Sequence, residues 1–250
     1  MFSNTALLQF SKEGAIYGDF KNILSNKINY RHMDKLKNCI QGKKIYITIE
    51  CEEIYIKIFR IPKVSKNKIK YIISQEVNYY FNYVESIIFD YLIFKEEKEY
   101  IDIIVYCLNW NEGKFIKKFI YKCNLKKVSL LQFDILNYYK NHIKCSNYAF
   151  VFLHNTDLYF LACNKNKLVC NSININFSSK NYIKNFNDFI DKCNKINYVN
   201  TKFEKFYFCN FPYKEYIDYT NSYYNCEDLG EMCNREIILN TIKRRSLWKI

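Results

Sequence analysis

His142, Cys145 and His154 fall within 13 residues of one another. A thiol beside an imidazole is the least that nucleophilic catalysis needs, because the imidazole must take the thiol proton. The local pattern separates them: an expected helix over 134–144 carries His142, an expected strand starts beyond Cys145, and His154 opens the turn His154-Asn155-Thr156-Asp157. The expectation is a solvent-facing His142, a core or boundary Cys145 and a turn His154. His32 has no neighbour of metal-ligand type. Asp188 with Asp191 and Glu52 with Glu53 are paired carboxylates, but the first pair sits on a polar helix face and the second in a turn that opens a strand, so both read as solvated surface. The eleven cysteines include no C-x-x-C; the closest pairs, Cys163 with Cys170 and Cys226 with Cys233, are seven apart, which excludes the usual zinc and dithiol spacings. An odd number without a secretory leader reads as reduced thiols of a cytosolic protein, used as small core hydrophobes. No Walker lysine, dinucleotide fingerprint, G-x-S-x-G or H-E-x-x-H occurs, and five glycines leave little from which to build a phosphate cradle.

A chain of 250 residues with 49% hydrophobic and 18% aromatic content can bury a real core, as one large domain or two small ones. The net charge of +13 comes with an abundance of Asn, Lys, Ile and Tyr typical of an AT-rich genome, so the charge is discounted as a functional signal. Lys63, Lys66, Lys68 and Lys70 spread round a helix whose other face is apolar, and Lys243, Arg244, Arg245 and Lys249 crowd a helix C-terminus, where the dipole favours cations. Neither cluster reads as a nucleic-acid groove. The second, with Leu247 and Trp248, could instead touch anionic lipid or a partner. The longest charge-free runs, 145–156 and 168–179, have 12 residues each, short of the roughly 20 needed to cross a bilayer.

Those residues must be positioned by elements that periodicity makes legible. Two strands, 6–10 and 15–20, are joined by a turn in which Gly14 supplies positive φ. A short helix follows over 31–40, then alternating strands over 44–50 and 54–61. Pro62 precedes a helix with Val64 as staple and Ser65 as N-cap, whose apolar face is Ile69, Ile72, Ile73, Val77, Tyr80 and Phe81. The run 87–94 reads as a buried strand, 101–108 as its return, Asn111 as the cap of a further helix ending at Asn124, and 127–133 as a strand. Beyond these come strands at 148–153, 158–163 and 168–175 with tight turns, a helix from Ser178 or Ser179, a strand over 205–211, a short helix or turn after Pro212, and a terminal helix over 234–248.

The Arg60-Ile61-Pro62-Lys63 strand end, the helix with Glu76 and Tyr79-Tyr80-Phe81, the Asp90-Tyr91 strand, and the Asn124-Leu125 turn leading to Val128 and Asp134 together resemble the inserted subdomain of the PilM family, actin-like cytoplasmic proteins of type IV pilus and competence machines. The resemblance covers about 44–175 by motif and the remainder by topology. It implies an α+β, actin-like fold of duplicated ribonuclease-H-like units: 1–60 an abbreviated first unit, 61–134 an inserted βαββαβ subdomain, and 135–250 the second unit.

Actin-like ATPases hold phosphates with an Asp-x-Gly turn in each copy. The corresponding positions are taken here as Ser3, Asn4 and Thr5 in the first copy and His154, Asn155 and Thr156 in the second, with Cys209-Asn210-Phe211 where a Gly-Gly faces adenosine. All depart from the pattern, so the resemblance implies a scaffold that has lost ATP and Mg²⁺ and has no catalytic residue. It further implies a cytoplasmic adaptor held at the inner membrane by the amino-terminal tail of a PilN-like single-pass protein, with a pilus motor ATPase as a second possible partner and no nucleic acid. Tyr79, Tyr80, Phe81 and Tyr91 are the expected tail-binding residues. The alternatives are an actin-like protein that retains ATP and a basic nucleic-acid-binding protein.

Overall fold

The computed structural model describes residues 4–11, 14–18, 26–29, 33–50, 54–82, 87–110, 124–196 and 202–243. β1 (Thr5–Ser11) and β2 (Gly14–Gly18) form the expected hairpin, with Leu7 opposite Gly18 and Ser11 opposite Gly14. β3 (Asn26–Asn29) continues it beyond β2. Gly14 is demanded by that neighbour, since a Cβ there would stand 2.4 Å from the Ile28 carbonyl oxygen. α1 (Met33–Ile40) returns the chain so that β4 (Lys44–Ile49) runs parallel to β1. Alternation then buries Ala6, Leu8 and Phe10 with Ile45, Ile47 and Ile49, in one core with Leu36 and Ile40 of α1.

The insert follows β4. β5 (Tyr55–Pro62), β6 (Ile87–Glu96) and β7 (Tyr100–Asn109) form an antiparallel sheet in the order β5-β7-β6. α2 (Lys66–Tyr80) lies on one face. Its Ile69, Ile73 and Val77 meet Ile61, Ile101, Ile103, Val105 and Cys107, while Ile104, Tyr106 and Leu108 of β7 point the other way into the main core. That double burial explains why β7 is apolar without interruption. The expectation that 87–94 is the buried strand is corrected: β6 is an outer strand, mostly half-buried, and β7 is central. Ser65 is the N-cap in position and in extended φ/ψ, but its side chain makes no capping bond. The helix expected from Asn111 lies outside the described residues.

A second correction concerns the strand expected to close the insert. β8 (Asn124–Leu130) pairs parallel with β4 in the first sheet, and α3 (Leu131–Tyr139) starts directly after it, in place of the single strand expected over 127–133. With β3 and β8 the first sheet has five strands in the order β3-β2-β1-β4-β8.

The second unit repeats the plan. β9 (Tyr148–His154), β10 (Asp157–Asn164) and β11 (Lys167–Asn174) form a meander. Asn155 adopts φ 54°, and Lys165 and Asn166 adopt 51° and 59°, the left-handed values that two-residue hairpin turns need. A 3₁₀ turn (Ser179–Asn181) leads into α4 (Tyr182–Asn194), which buries Tyr182, Phe186, Phe189 and Cys193. β12 (Lys205–Cys209), α5 (Lys214–Asn221) and β13 (Cys226–Asp228) complete a sheet ordered β11-β10-β9-β12-β13. Each five-stranded sheet therefore has three antiparallel strands followed by two parallel ones. α6 (Asn234–Lys243) packs back on α3 through buried Ile237.

Candidate functional site

Two junctions could hold a ligand, and they differ in kind. The first lies between the two five-stranded sheets. Glu50 directly follows β4, its N–H donating to the Phe10 carbonyl at 2.7 Å, and there its Oε1 meets His154 Nε2 at 2.5 Å. The side chains are 1% and 4% exposed, so the expectation of a simple turn histidine is corrected: His154 is a buried link between the units. Beside it, Asp134 near the start of α3 accepts hydrogen bonds from Ser129 Oγ at 2.7 Å and Thr48 Oγ1 at 3.1 Å, and the Lys127 ammonium stands 3.6 Å away. Burial at 2% would make an unpaired carboxylate costly, and these partners offset it. Ile237, Ile238 and Asn234 of α6 close the space from above. The cavity left among Gln9, Thr48, Leu131, Asp134, His154 and α6 is about 20 Å³, room for one water. A nucleotide needs several hundred cubic ångströms. Both carboxylates are already engaged, and no group of three metal-ligating side chains occurs among the described residues.

The expected phosphate positions do not come together. Asn4 and Thr5 sit at the start of β1, paired with the start of β4, whereas His154 lies by the far ends of those strands; Asn4 Nδ2 donates to the Gly42 carbonyl at 3.1 Å. Ser3 lies outside the described residues. Asn155 and Thr156 do form the β9–β10 turn, and Thr156 Oγ1 donates to Asn176 Oδ1 at 3.3 Å. At the expected adenosine position, Asn210 takes the left-handed φ of 50° that a glycine would supply and donates from Nδ2 to the Leu153 carbonyl at 2.7 Å. A shallow hollow of about 320 Å³ lies beside it, lined by Phe211, Pro212, Lys214, Asp228 and Glu231.

Other sequence candidates are dispersed. His142 is exposed against Tyr139, Cys145 receives a hydrogen bond from Tyr207 Oη at 3.6 Å, and neither meets His154. Asp188 and Asp191 are exposed, as expected; Glu52 and Glu53 lie outside the described residues.

The second junction lies between the insert and the body. Leu92 and Tyr106 from the inserted sheet face Phe133, Leu136 and Ile143, together with Tyr148 and Leu168, around a cavity of about 260 Å³. Asn137, Lys140, Asn166 and Lys167 form its polar edge. The walls are fixed: Tyr106 Oη donates to the Leu168 carbonyl at 2.8 Å, and burial pushes the Tyr106 and Tyr148 hydroxyls well above the usual tyrosine range. Lys167 donates to the Ile93 and Phe94 carbonyls, and burial, with Lys165 nearby, holds its ammonium below the usual lysine range. None of these residues stood out in the sequence, because the cavity is assembled from β6, β7, α3, β9 and β11, which are spread along the chain.

The tyrosines expected to bind a tail lie elsewhere. Tyr79 and Tyr80, 77% and 48% exposed, are at the end of α2, and Phe81 packs edge-on against Tyr55 at 5.0 Å. Tyr91 is half-buried against the α2 core and does not join them.

The duplicated sheets with an inserted α+β layer define the actin-like fold, and similarity to solved structures agrees. A Bacteroides thetaiotaomicron protein of unknown function with an actin-like ATPase fold is 11% identical, each chain covered to 95%, with a TM-score of 0.54. The PilM–PilN type IV pilus biogenesis complex gives 8% identity, 95% coverage of this chain and 90% of the other, and a TM-score of 0.61. The cytoplasmic domain of EpsL, an inner-membrane component of the type II secretion system of Vibrio cholerae, gives 6%, 96% and 94%, and 0.54. No protein-family model matches the chain, and no curated protein matches its sequence.

Proposed function

We propose that this chain is a non-catalytic adaptor at the cytoplasmic face of an inner membrane, part of a type IV pilus or related secretion or competence platform, and that it grips the cytoplasmic tail of a PilN-like single-pass membrane protein. The observation that carries the reading is the cavity between insert and body, with its apolar floor and its edge of lysines and amides. Such a site buries a bulky side chain of a bound segment and hydrogen-bonds its backbone. One buried Leu or Phe supplies about 1.5–3 kcal/mol, well short of the roughly 8 kcal/mol of a micromolar complex, so the segment must also pair along the rim. The closed junction between the two sheets supports the second half of the reading, that the actin-like cleft holds no ATP or Mg²⁺. Among the described residues no helix is long and apolar enough to cross a membrane, so attachment would come through the partner.

The test is fluorescence anisotropy with a labelled peptide that copies the amino-terminal cytoplasmic tail of a PilN-like single-pass membrane protein. The unmodified protein binds, and Leu136→Trp, which fills the cavity from a half-buried position, weakens binding at least tenfold. Equal binding by the variant, or no binding by the parent, contradicts the adaptor reading.

A further inference from the structure

The free edge of the inserted sheet has no role in the reading above. β5 and β6 are its outer strands, and they are protected unequally. β6 carries a bulge between Ile93 and Lys95, and Lys167 from the second unit reaches the Ile93 carbonyl at 2.5 Å and the Phe94 carbonyl at 3.3 Å. Bulges and intruding lysines are how proteins keep strand edges from pairing with other chains. β5 pairs with β7 from Tyr55 to Pro62 without a register shift, and only its last residue is a proline.

The chain itself shows what this edge accepts. The Asn171 carboxamide, 1% exposed, receives the Ile54 N–H at Oδ1 (3.2 Å) and donates from Nδ2 to the Ile54 carbonyl (2.7 Å). A peptide unit of a neighbouring strand makes the same pair of bonds. Ile54 directly precedes β5, and backbone directions repeat every second residue in an extended chain, so Ile56 and Ile58 turn their N–H and C=O groups to that side, away from β7. Among the described residues no strand lies there.

Flanking side chains set the chemistry of the occupant. Tyr55 and Tyr80 are each 48% exposed, and the Lys57 ammonium lies 2.8 Å from the Tyr80 ring centroid. In an antiparallel pairing with a second copy of this chain, strand parity sets Lys57 against Lys57, Phe59 or Ile61 of the other β5, and none of these supplies a carboxylate. We infer that β5 accepts an extended acidic segment of a partner protein as a fourth strand, with carboxylates at Lys57 and apolar side chains on Tyr55, Tyr80 and Phe81.

The experiment is hydrogen exchange of the full chain, followed by NMR at the Ile56 and Ile58 amides, with capped eight-residue peptides alternating Glu with Val or Lys with Val. The Glu–Val peptide slows exchange at both amides by at least about tenfold, the Lys–Val peptide does not, and Lys57→Glu reverses the preference. Leu136→Trp, in the cavity on the other face of the sheet, leaves the result unchanged, so failure here is distinct from failure of the adaptor reading. Unchanged exchange with millimolar Glu–Val peptide, equal protection by both peptides, or protection that grows with protein concentration in the absence of peptide would overturn the inference.

Discussion

The junction between the two ribonuclease-H-like sheets and the junction between insert and body are built from different kinds of residue and filled differently. At the first, side chains of the two units meet: Glu50 is hydrogen-bonded to His154, and Asp134 faces Lys127 with Thr48 and Ser129, leaving about 20 Å³. At the second, aromatic and aliphatic walls stop short of each other and leave about 260 Å³, with lysines at the mouth. Buried polar groups that satisfy one another shut a cleft, whereas apolar walls held apart by rigid strands keep one open. The difference teaches that, of these two junctions, the one made with the insert keeps space for a bound side chain and the one between the halves does not.

Breaking the closed junction should have the largest effect. Glu50→Ala leaves His154 buried without its hydrogen-bond partner and should cost about 1–3 kcal/mol in urea unfolding; no measurable loss would mean that the units are held by other contacts. Asn171→Ala removes both bonds to Ile54, where the chain enters the insert, and should cost about 1–3 kcal/mol, with faster hydrogen exchange at Ile54 as a second readout. At the open junction, Leu136→Trp should change stability by less than about 1.5 kcal/mol while abolishing most tail binding, since it occupies space that is empty. Lys140→Glu, on an exposed turn, should shift stability by no more than about 0.5 kcal/mol and act through the salt dependence of tail association. The thiols offer the mildest check: burial pushes Cys107 and Cys163 up to about 12 and Cys209 up to about 11, so at neutral pH these should react with a disulfide reagent only after unfolding, unlike exposed Cys233.

Much of the fold was legible because burial leaves a period. α2 announces itself through Ile69, Ile73 and Val77, and β4 through Ile45, Ile47 and Ile49. β3 and β13 did not, since Asn-Lys-Ile-Asn and Cys-Glu-Asp carry no alternation and pair only as outer strands. The β8–α3 boundary was misplaced because residues 128–133 are nearly all apolar or small and are buried in both states, so neither period shows. The sites were harder. His154 and Glu50 are 104 residues apart, and the open cavity joins residues from β6 to β11. Tyr79 and Tyr80 stood out as aromatics at a helix end, and they are exposed, but beside the β5 edge instead of the cavity.

The central claim is that the cleft of an actin-like body is shut by its own side chains. Thermal denaturation with and without Mg·ATP tests it most directly. At nucleotide a hundredfold above a dissociation constant, a binding protein gains about 2.7 kcal/mol, which for a chain of this size raises the melting temperature by about 5–10 °C. The closed junction predicts no shift at millimolar Mg·ATP; a rise of that order would contradict it.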